Sequence, residues 1–140
     1  MWLVGDTYTF KATGDAFLLM EASVPPGGGP PPHAHSREDE AFYLLGGVLD
    51  VTADGETTRV AAGDFVFLPR GTVHSFRNPG VAAARALILA TPGGLGRFFA
   101  EAGTPARPGE PAPPFDPADF PRLAGLSAKY GVEVLEGSTV

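Results

Sequence analysis

Short apolar segments recur along the first two-thirds of the chain, alternating with polar residues and closed by glycine, proline or an Asp-Gly pair. Alternation with a period of two buries one face of a strand and wets the other, so the pattern predicts strands rather than helices. Strands are read near 7–11, 16–24, 40–45, 47–53, 56–61, 65–68, 73–78 and 83–90. Leu18, Met20, Ala22 and Val24 supply the clearest apolar face, expected only to pack. Asp54-Gly55 separates 48–52 from 57–60, and both residues tolerate the positive φ that a two-residue hairpin turn demands. Gly63-Asp64 and Pro69-Arg70-Gly71 add further turn signals. Many short strands punctuated in this way predict an all-β sandwich or barrel.

The texture changes after residue 90. Thr91-Pro92-Gly93-Gly94 ends the β section, 95–102 reads as a short helix carrying Phe98 and Phe99, and 103–115 reads as an extended Pro/Gly-rich linker. Asp116-Pro117-Ala118-Asp119 has the form of a helix start: a capping acid, proline at the first helical position and an acid in the first turn. Phe120, Leu123, Ala124, Ser127 and Tyr130 share one helical face, and Gly131 is placed to end the helix. Helices this short do not hold alone, so they are expected to pack across the β section or a partner subunit. The reading is a single domain, with a β-barrel over 1–94 and a helical extension over 95–140.

Composition narrows the function. The chain has 140 residues, and its net charge of −6 repels phosphate backbones and anionic lipid, which argues against nucleic-acid and membrane partners. No apolar run approaches the ~20 residues that span a bilayer, and the start lacks the basic and long apolar regions of a signal peptide. A cytoplasmic location is therefore expected. Cysteine is absent, which removes disulfides, thiolate nucleophiles, Cys-type zinc sites and iron–sulfur clusters. Trp2, the first strand and the C-terminal helices offer apolar surface beyond a barrel's own needs, so a homodimer is expected.

The chemistry rests on the histidines, of which the chain has three. His33 and His35 stand two apart, so in a strand both imidazoles project from one face. Glu40 follows after Ser36-Arg37-Glu38-Asp39 and opens the apolar run Ala41-Phe42-Tyr43-Leu44-Leu45; His74 opens a distant strand. Strand pairing in a closed sheet is able to turn all four inward. Three neutral imidazoles and one carboxylate suit a single divalent transition ion, whether iron, manganese, nickel, cobalt, copper or zinc. A lone histidine in a β protein is more often a surface or satisfied core residue; it is the convergence of every histidine with one acid that points to metal. The run Arg37-Glu38-Asp39 reads first as a solvated loop. Glu38 shares the strand parity of Glu40 and is the fallback ligand, although the spacing favours Glu40.

The spacing also carries a resemblance. Gly27, five residues, His33-Ala34-His35, four residues, Glu40, six residues and Gly47 form one half of a signature. Gly63, five residues, Pro69-Arg70-Gly71, two residues, His74, three residues and Asn78 form the other, 15 residues further on. From about Leu3 to Leu135 the chain resembles the small single-domain cupins. In Pro25-Pro26-Gly27 through His35, in Arg37-Glu38-Asp39-Glu40-Ala41-Phe42-Tyr43 and in Thr91-Pro92-Gly93-Gly94 it is similar to their quercetin-dioxygenase-like bacterial branch. The resemblance implies a double-stranded β-helix of jelly-roll type with a short helical tail, in which His33, His35, Glu40 and His74 bind the ion. Gly47, Gly63, Pro69 and Gly71 then serve turns, and Asn78 caps one through its side chain. Gly46 departs from the pattern, standing where relatives often carry an acid.

Phe42 and Leu44 share the parity of Glu40, and Phe76 that of His74, so all three line either an apolar pocket beside the metal or plain core. The first functional reading is a quercetin-dioxygenase-like oxygenase, using dioxygen on an aromatic or polyketide-like small molecule with Glu40 as general base. The second keeps the metal and Glu40 but drops oxygen, giving an isomerase, cyclase, dehydratase or decarboxylase. The third is a cupin that binds or senses a small ligand without catalysis.

Overall fold

The computed structural model describes residues 1–135; the last five residues of the expected 95–140 extension lie outside the described residues. The strands are β1 (Trp2–Leu3), β2 (Asp6–Ala12), β3 (Leu18–Val24), β4 (His33–His35), β5 (Asp39–Gly46), β6 (Val48–Ala53), β7 (Glu56–Ala61), β8 (Phe65–Leu68), β9 (His74–Arg77), β10 (Ala84–Thr91) and β11 (Val132–Val134). They form two antiparallel sheets, ordered β1-β2-β3-β10-β5-β8 and β11-β4-β9-β6-β7. From β3 to β10 the chain passes repeatedly from one sheet to the other, which is the double-stranded β-helix the sequence predicts. Alternation fills the space between the sheets. Leu18, Met20, Ala22 and Val24 are buried from β3, Phe42 and Leu44 from β5, Leu49 and Val51 from β6, and Ala84, Ala86, Ile88 and Ala90 from β10. At the β6–β7 hairpin, Asp54 (φ 49°) and Gly55 (φ 82°) both take the positive φ that their turn requires.

The eight expected strands are all present. Three more, β1, β4 and β11, are two or three residues long, too short to display alternation on their own. Helix α1 (Leu95–Ala102) has the expected bounds, and buries Leu95, Phe98, Phe99 and Ala102 at helical spacing. Asp116 accepts a hydrogen bond from the Ala118 amide and caps a 3₁₀ turn over Pro117–Asp119, and α2 runs Phe120–Lys129. Its packed face differs from the expected one. Leu123, Leu126, Ser127 and Tyr130 turn inward, while Phe120 and Ala124 are exposed. The reason is that α2 meets α1 through its second half, with Tyr130 6.2 Å from Phe98.

The helices fill the open side of the sandwich. Phe99 packs against Tyr8 of β2 with the ring centroids 5.0 Å apart and the planes tilted by 54°, Trp2 exchanges backbone hydrogen bonds with Thr104, and Tyr130 leads through Gly131 into β11. The apolar surface on which the sequence expects a partner is thus largely spent inside the chain. No helix of the described residues is long and apolar enough to cross a membrane.

Two devices fix the segment that precedes β4. The Gly27 amide donates to the Asn78 carbonyl at 2.8 Å, and the Asn78 amide donates to the Gly28 carbonyl at 3.0 Å. Gly29 (φ 135°) lies so close to β9 that a side chain there would overlap the Phe76 carbonyl. The Asn78 carboxamide caps the turn after β9, as expected: it donates to Val24 and Ala82 carbonyls and accepts from the Gly80 amide.

Asp6 opens β2 with no exposed surface. Its Oδ2 accepts the Tyr8 hydroxyl at 3.2 Å, while its Oδ1 has no partner. Burial pushes the carboxyl up to about 7, against the pull of the Tyr8 hydrogen bond. An unfolded aspartate ionises near 3.8. The folded state therefore loses stability as pH rises between those two values, by roughly 4 kcal/mol at 1.36 kcal/mol per unit, and the loss levels off above. Asp6→Asn resembles the neutral acid in shape. It is expected to match the parent protein at pH 4 and to exceed its stability at pH 8 by about 2–4 kcal/mol, measured by urea unfolding at both pH values.

Candidate metal centre

The two sheets supply the cluster from opposite sides. β4 presents His33 and His35, and β9 places His74 beside them through the register pair His33↔His74. One nitrogen from each imidazole can be chosen so that all three lie within 4.8 Å of one another. The ring centroids are 4.4 Å apart for His33–His74, 5.0 Å for His33–His35 and 5.5 Å for His35–His74. Glu40 reaches across from β5: its Oε1 lies 3.1 Å from His74 Nε2 and its Oε2 3.6 Å from His35 Nε2. His35, Glu40 and His74 are buried, and His33 is half-buried. All four residues singled out by spacing thus converge. Glu38 is buried too, but no ion pair within 4.0 Å joins it to a histidine among the described residues.

Backbone carbonyls orient two of the rings. His33 Nδ1 donates to the Pro31 carbonyl at 2.8 Å and His74 Nδ1 to the Thr72 carbonyl at 3.0 Å, so each turns its Nε2 toward the cluster. Each acceptor lies two residues before its histidine, a local spacing that carries no residue-type signal in the sequence. His35 has no hydrogen bond at either ring nitrogen although it is buried. An unsatisfied buried polar group costs about 1–3 kcal/mol, which a cation on that ring would offset. The donor set of imidazoles and a carboxylate therefore fits a borderline divalent ion.

The electrostatics are coupled. Burial pushes His33 down to about 4, with the charges of His74 and His35 acting the same way. Burial also lowers His35. Burial alone would raise the Glu40 carboxyl, but the His74 hydrogen bond and the neighbouring imidazoles outweigh it and hold Glu40 below its ordinary range. For His74 burial acts downward, and the Glu40 hydrogen bond and charge reverse it, leaving the imidazole raised. The metal-free site thus contains a buried imidazolium–carboxylate pair.

Phe42 stands beside this pair, edge-on to His74 at 6.2 Å and to Phe76 at 5.5 Å. Leu44, one inward position further along β5, is 1 % exposed and sits among core residues. A cleft of about 460 Å³ opens between the β7 and β8 edges, with Val51, Ala53 and Val66 among its lining residues. Ala53 is the register partner of His74 and Val66 that of Phe42, so this wall lies one strand spacing from the cluster. Ala53 and Val66 carry no signal in the sequence, because small apolar residues in strands look like ordinary core.

Residues 20–90 match the Cupin domain family. The chain is 37% identical over 67 residues to quercetin 2,3-dioxygenase of Bacillus subtilis, a match covering 48% of this chain and 20% of that protein. It is 34% identical over 116 residues to germin-like protein 1-1 of rice (Oryza sativa subsp. japonica), covering 75% of this chain and 53% of the relative. The chain thus spans between a fifth and about half the length of these curated relatives. Among solved structures, a predicted oxalate decarboxylase from Thermotoga maritima superposes with a TM-score of 0.59 at 25% identity, over 61% of this chain and 79% of that one.

The pair makes a direct prediction for metal-free protein. His74, followed by NMR across a pH series, is expected to titrate above the ordinary 6.5, and Glu40→Gln is expected to bring it below, because burial then dominates. The stability that the pair contributes is present below the unfolded histidine value and is lost as pH rises through the folded one. An unchanged His74 titration in Glu40→Gln would contradict the pairing.

Proposed function

The chain belongs to the cupin domain family, and on that footing we propose that His33, His35, Glu40 and His74 together hold one divalent transition ion. The activity proposed is that of a quercetin-dioxygenase-like oxygenase, which uses dioxygen on an aromatic or polyketide-like small molecule. The observation that carries this reading is the convergence of three imidazoles on one buried carboxylate, with His35 otherwise unsatisfied. The similarity to quercetin 2,3-dioxygenase supports the oxidative form.

A divalent ion bound there supplies Lewis acidity toward a substrate oxygen and, where its redox couple allows, electron transfer. The protein's own groups do the rest. The Pro31 and Thr72 carbonyls hold the His33 and His74 rings in one tautomer and direction. Glu40, kept ionised among the imidazoles, accepts the proton of a substrate hydroxyl at its Oε1 or Oε2. Phe42, edge-on to both His74 and Phe76, is the apolar side chain proposed to sit nearest a bound ring, while Leu44 and Phe76 belong to the packed core behind it. The cleft bordered by Val51, Ala53 and Val66 gives a small molecule an approach.

The resemblance to a predicted oxalate decarboxylase favours a second reading, in which the same Glu40 serves a non-oxidative reaction such as decarboxylation. The two separate cleanly. Protein loaded in turn with iron, manganese, nickel, cobalt, copper and zinc is offered flavonols and dihydroxyaromatics while oxygen uptake is recorded. Uptake with a redox-active ion and none with zinc supports the oxygenase, whereas turnover under anaerobiosis with zinc supports the alternative. His74→Ala is expected to weaken metal binding by more than the roughly 10–100-fold seen when an outer-shell partner is lost. Glu40→Gln, keeping an oxygen toward the ion, is expected to lose about 10²–10⁴ in kcat. Parent protein that takes up no stoichiometric ion by elemental analysis overturns both readings.

A further inference from the structure

The sheet register runs a row of side chains from the histidine cluster to the open cleft between β7 and β8. On the inner face of the five-stranded sheet His74 pairs with Ala53, and Ala53 pairs with Glu56. Phe76, Val51 and Thr58 form the neighbouring row. Residues directly opposite one another project to the same side, so Glu56 and Thr58 turn inward with Ala53 and Val51. Both are nevertheless exposed, because β7 is the last strand of its sheet and the cleft of about 460 Å³ opens against it.

The two faces of the β6–β7 hairpin treat their polar groups differently. On the outer face Arg59 holds Asp50 through hydrogen bonds of 2.9 and 3.2 Å, and the Thr52 and Thr57 hydroxyls meet at 2.7 Å. On the inner face, among the described residues, no hydrogen bond or ion pair engages the Glu56 carboxylate or the Thr58 hydroxyl. A free carboxylate thus stands at the cleft mouth, two strand spacings or about 9–10 Å along the sheet from His74. Ala53 between them is too small to fill that span, which suits a single ring with a short tail. Charge decides which tail. The charged residues lining the cleft are Glu56, Arg59 and Asp64. Arg59 is taken by Asp50, and Asp64 accepts from the Ala61 amide at 2.8 Å. No free cation is left among the described lining residues to receive a carboxylate or phosphate, and the net charge of −6 adds to the repulsion.

From this arrangement we infer that Glu56 selects the far end of the substrate: the site takes a small aromatic ring whose tail donates a hydrogen bond, an ammonium ahead of a hydroxyl, and turns away anionic tails. The inference rests on the proposal that a metal ion among the histidines holds the near end of the ring. Thr58 offers the tail a second polar partner. Glu56 acts on specificity alone and takes no part in proton transfer.

Isothermal titration calorimetry of zinc-loaded protein with four matched catechols tests this. Their tails end in ammonium (dopamine), hydroxyl (hydroxytyrosol), methyl (ethylcatechol) and carboxylate (dihydroxyphenylacetate). Affinity is expected to fall in that order, dopamine binding about 3–5-fold tighter than ethylcatechol, the size of an exposed ion pair. Glu56→Gln is expected to bring dopamine down to the affinity of hydroxytyrosol, and Glu56→Lys to place dihydroxyphenylacetate first. Glu110→Gln removes the same charge from an exposed residue outside the cleft lining, and is expected to leave the order unchanged. Equal affinities for the four, or an order unmoved by Glu56→Gln, overturn the inference while zinc-dependent binding still upholds the metal site. The same order at the same affinities in metal-free protein overturns the metal site and upholds the selection by Glu56. Zinc-loaded protein that binds none of the four overturns the inference, and elemental analysis then judges the metal site separately.

Discussion

One buried carboxylate imposes most of what is particular about this barrel. Glu40 lies between two sheets, with almost no contact with water, and an unpaired charge there would cost several kcal/mol. The fold avoids that cost by facing it with His74 and His35 from the opposite sheet. The arrangement works in one register only. A slip of one residue along β5 would send Glu40 to the outer face and bring Ala41 or Asp39 inward, stranding the imidazoles. The pairings Glu40↔Ala90 and Glu40↔Leu68 are therefore tied electrostatically to His33↔His74 across the sandwich.

That coupling explains which features were legible in the sequence. His33, His35, Glu40 and His74 could be read because strand parity and fixed spacing are local properties, and a period of two decides which side chains share a face. The hairpin at Asp54-Gly55 was legible for a similar reason, its positive φ values being a local demand. What could not be read depends on distant partners. Whether Phe42 meets His74 or merely fills core is decided by how two sheets stack, and nothing in the order Ala41-Phe42-Tyr43 carries it. The packed face of α2 differs from the expected one for the same reason: Phe120 and Leu126 fit helical periodicity equally well, and only the location of α1 chooses between them.

β11 is the clearest case. β4 is three residues long and has a single register pair with β9, too little to hold two rings in place. Its other edge carries three pairs, Val132↔His35, Glu133↔Ala34 and Val134↔His33. The Ser36 amide and hydroxyl both donate to the Gly131 carbonyl, and the Gly71 amide donates to the His35 carbonyl at 2.8 Å. The segment that follows the helices thus braces the His33–His35 strand directly. A sequence reading that ends the tail in a helix misses this, because three residues with two valines carry no periodic signal.

The same burial that makes the cluster costly in isolation prepares it for a cation. A divalent ion needs its imidazoles neutral and its carboxylate ionised. Desolvation already holds His33 and His35 below their ordinary range, and the surrounding imidazoles already hold Glu40 ionised. Of the four groups, only His74 is biased toward the wrong protonation state, because burial, which acts downward, is outweighed by the hydrogen bond to Glu40 and its charge. A cation between them would take over the role of that one proton, satisfying Glu40 and giving His35 the partner it lacks. Were an ion to bind there, its competition with acid would fall on this single buried pair, which the sheet register brings together.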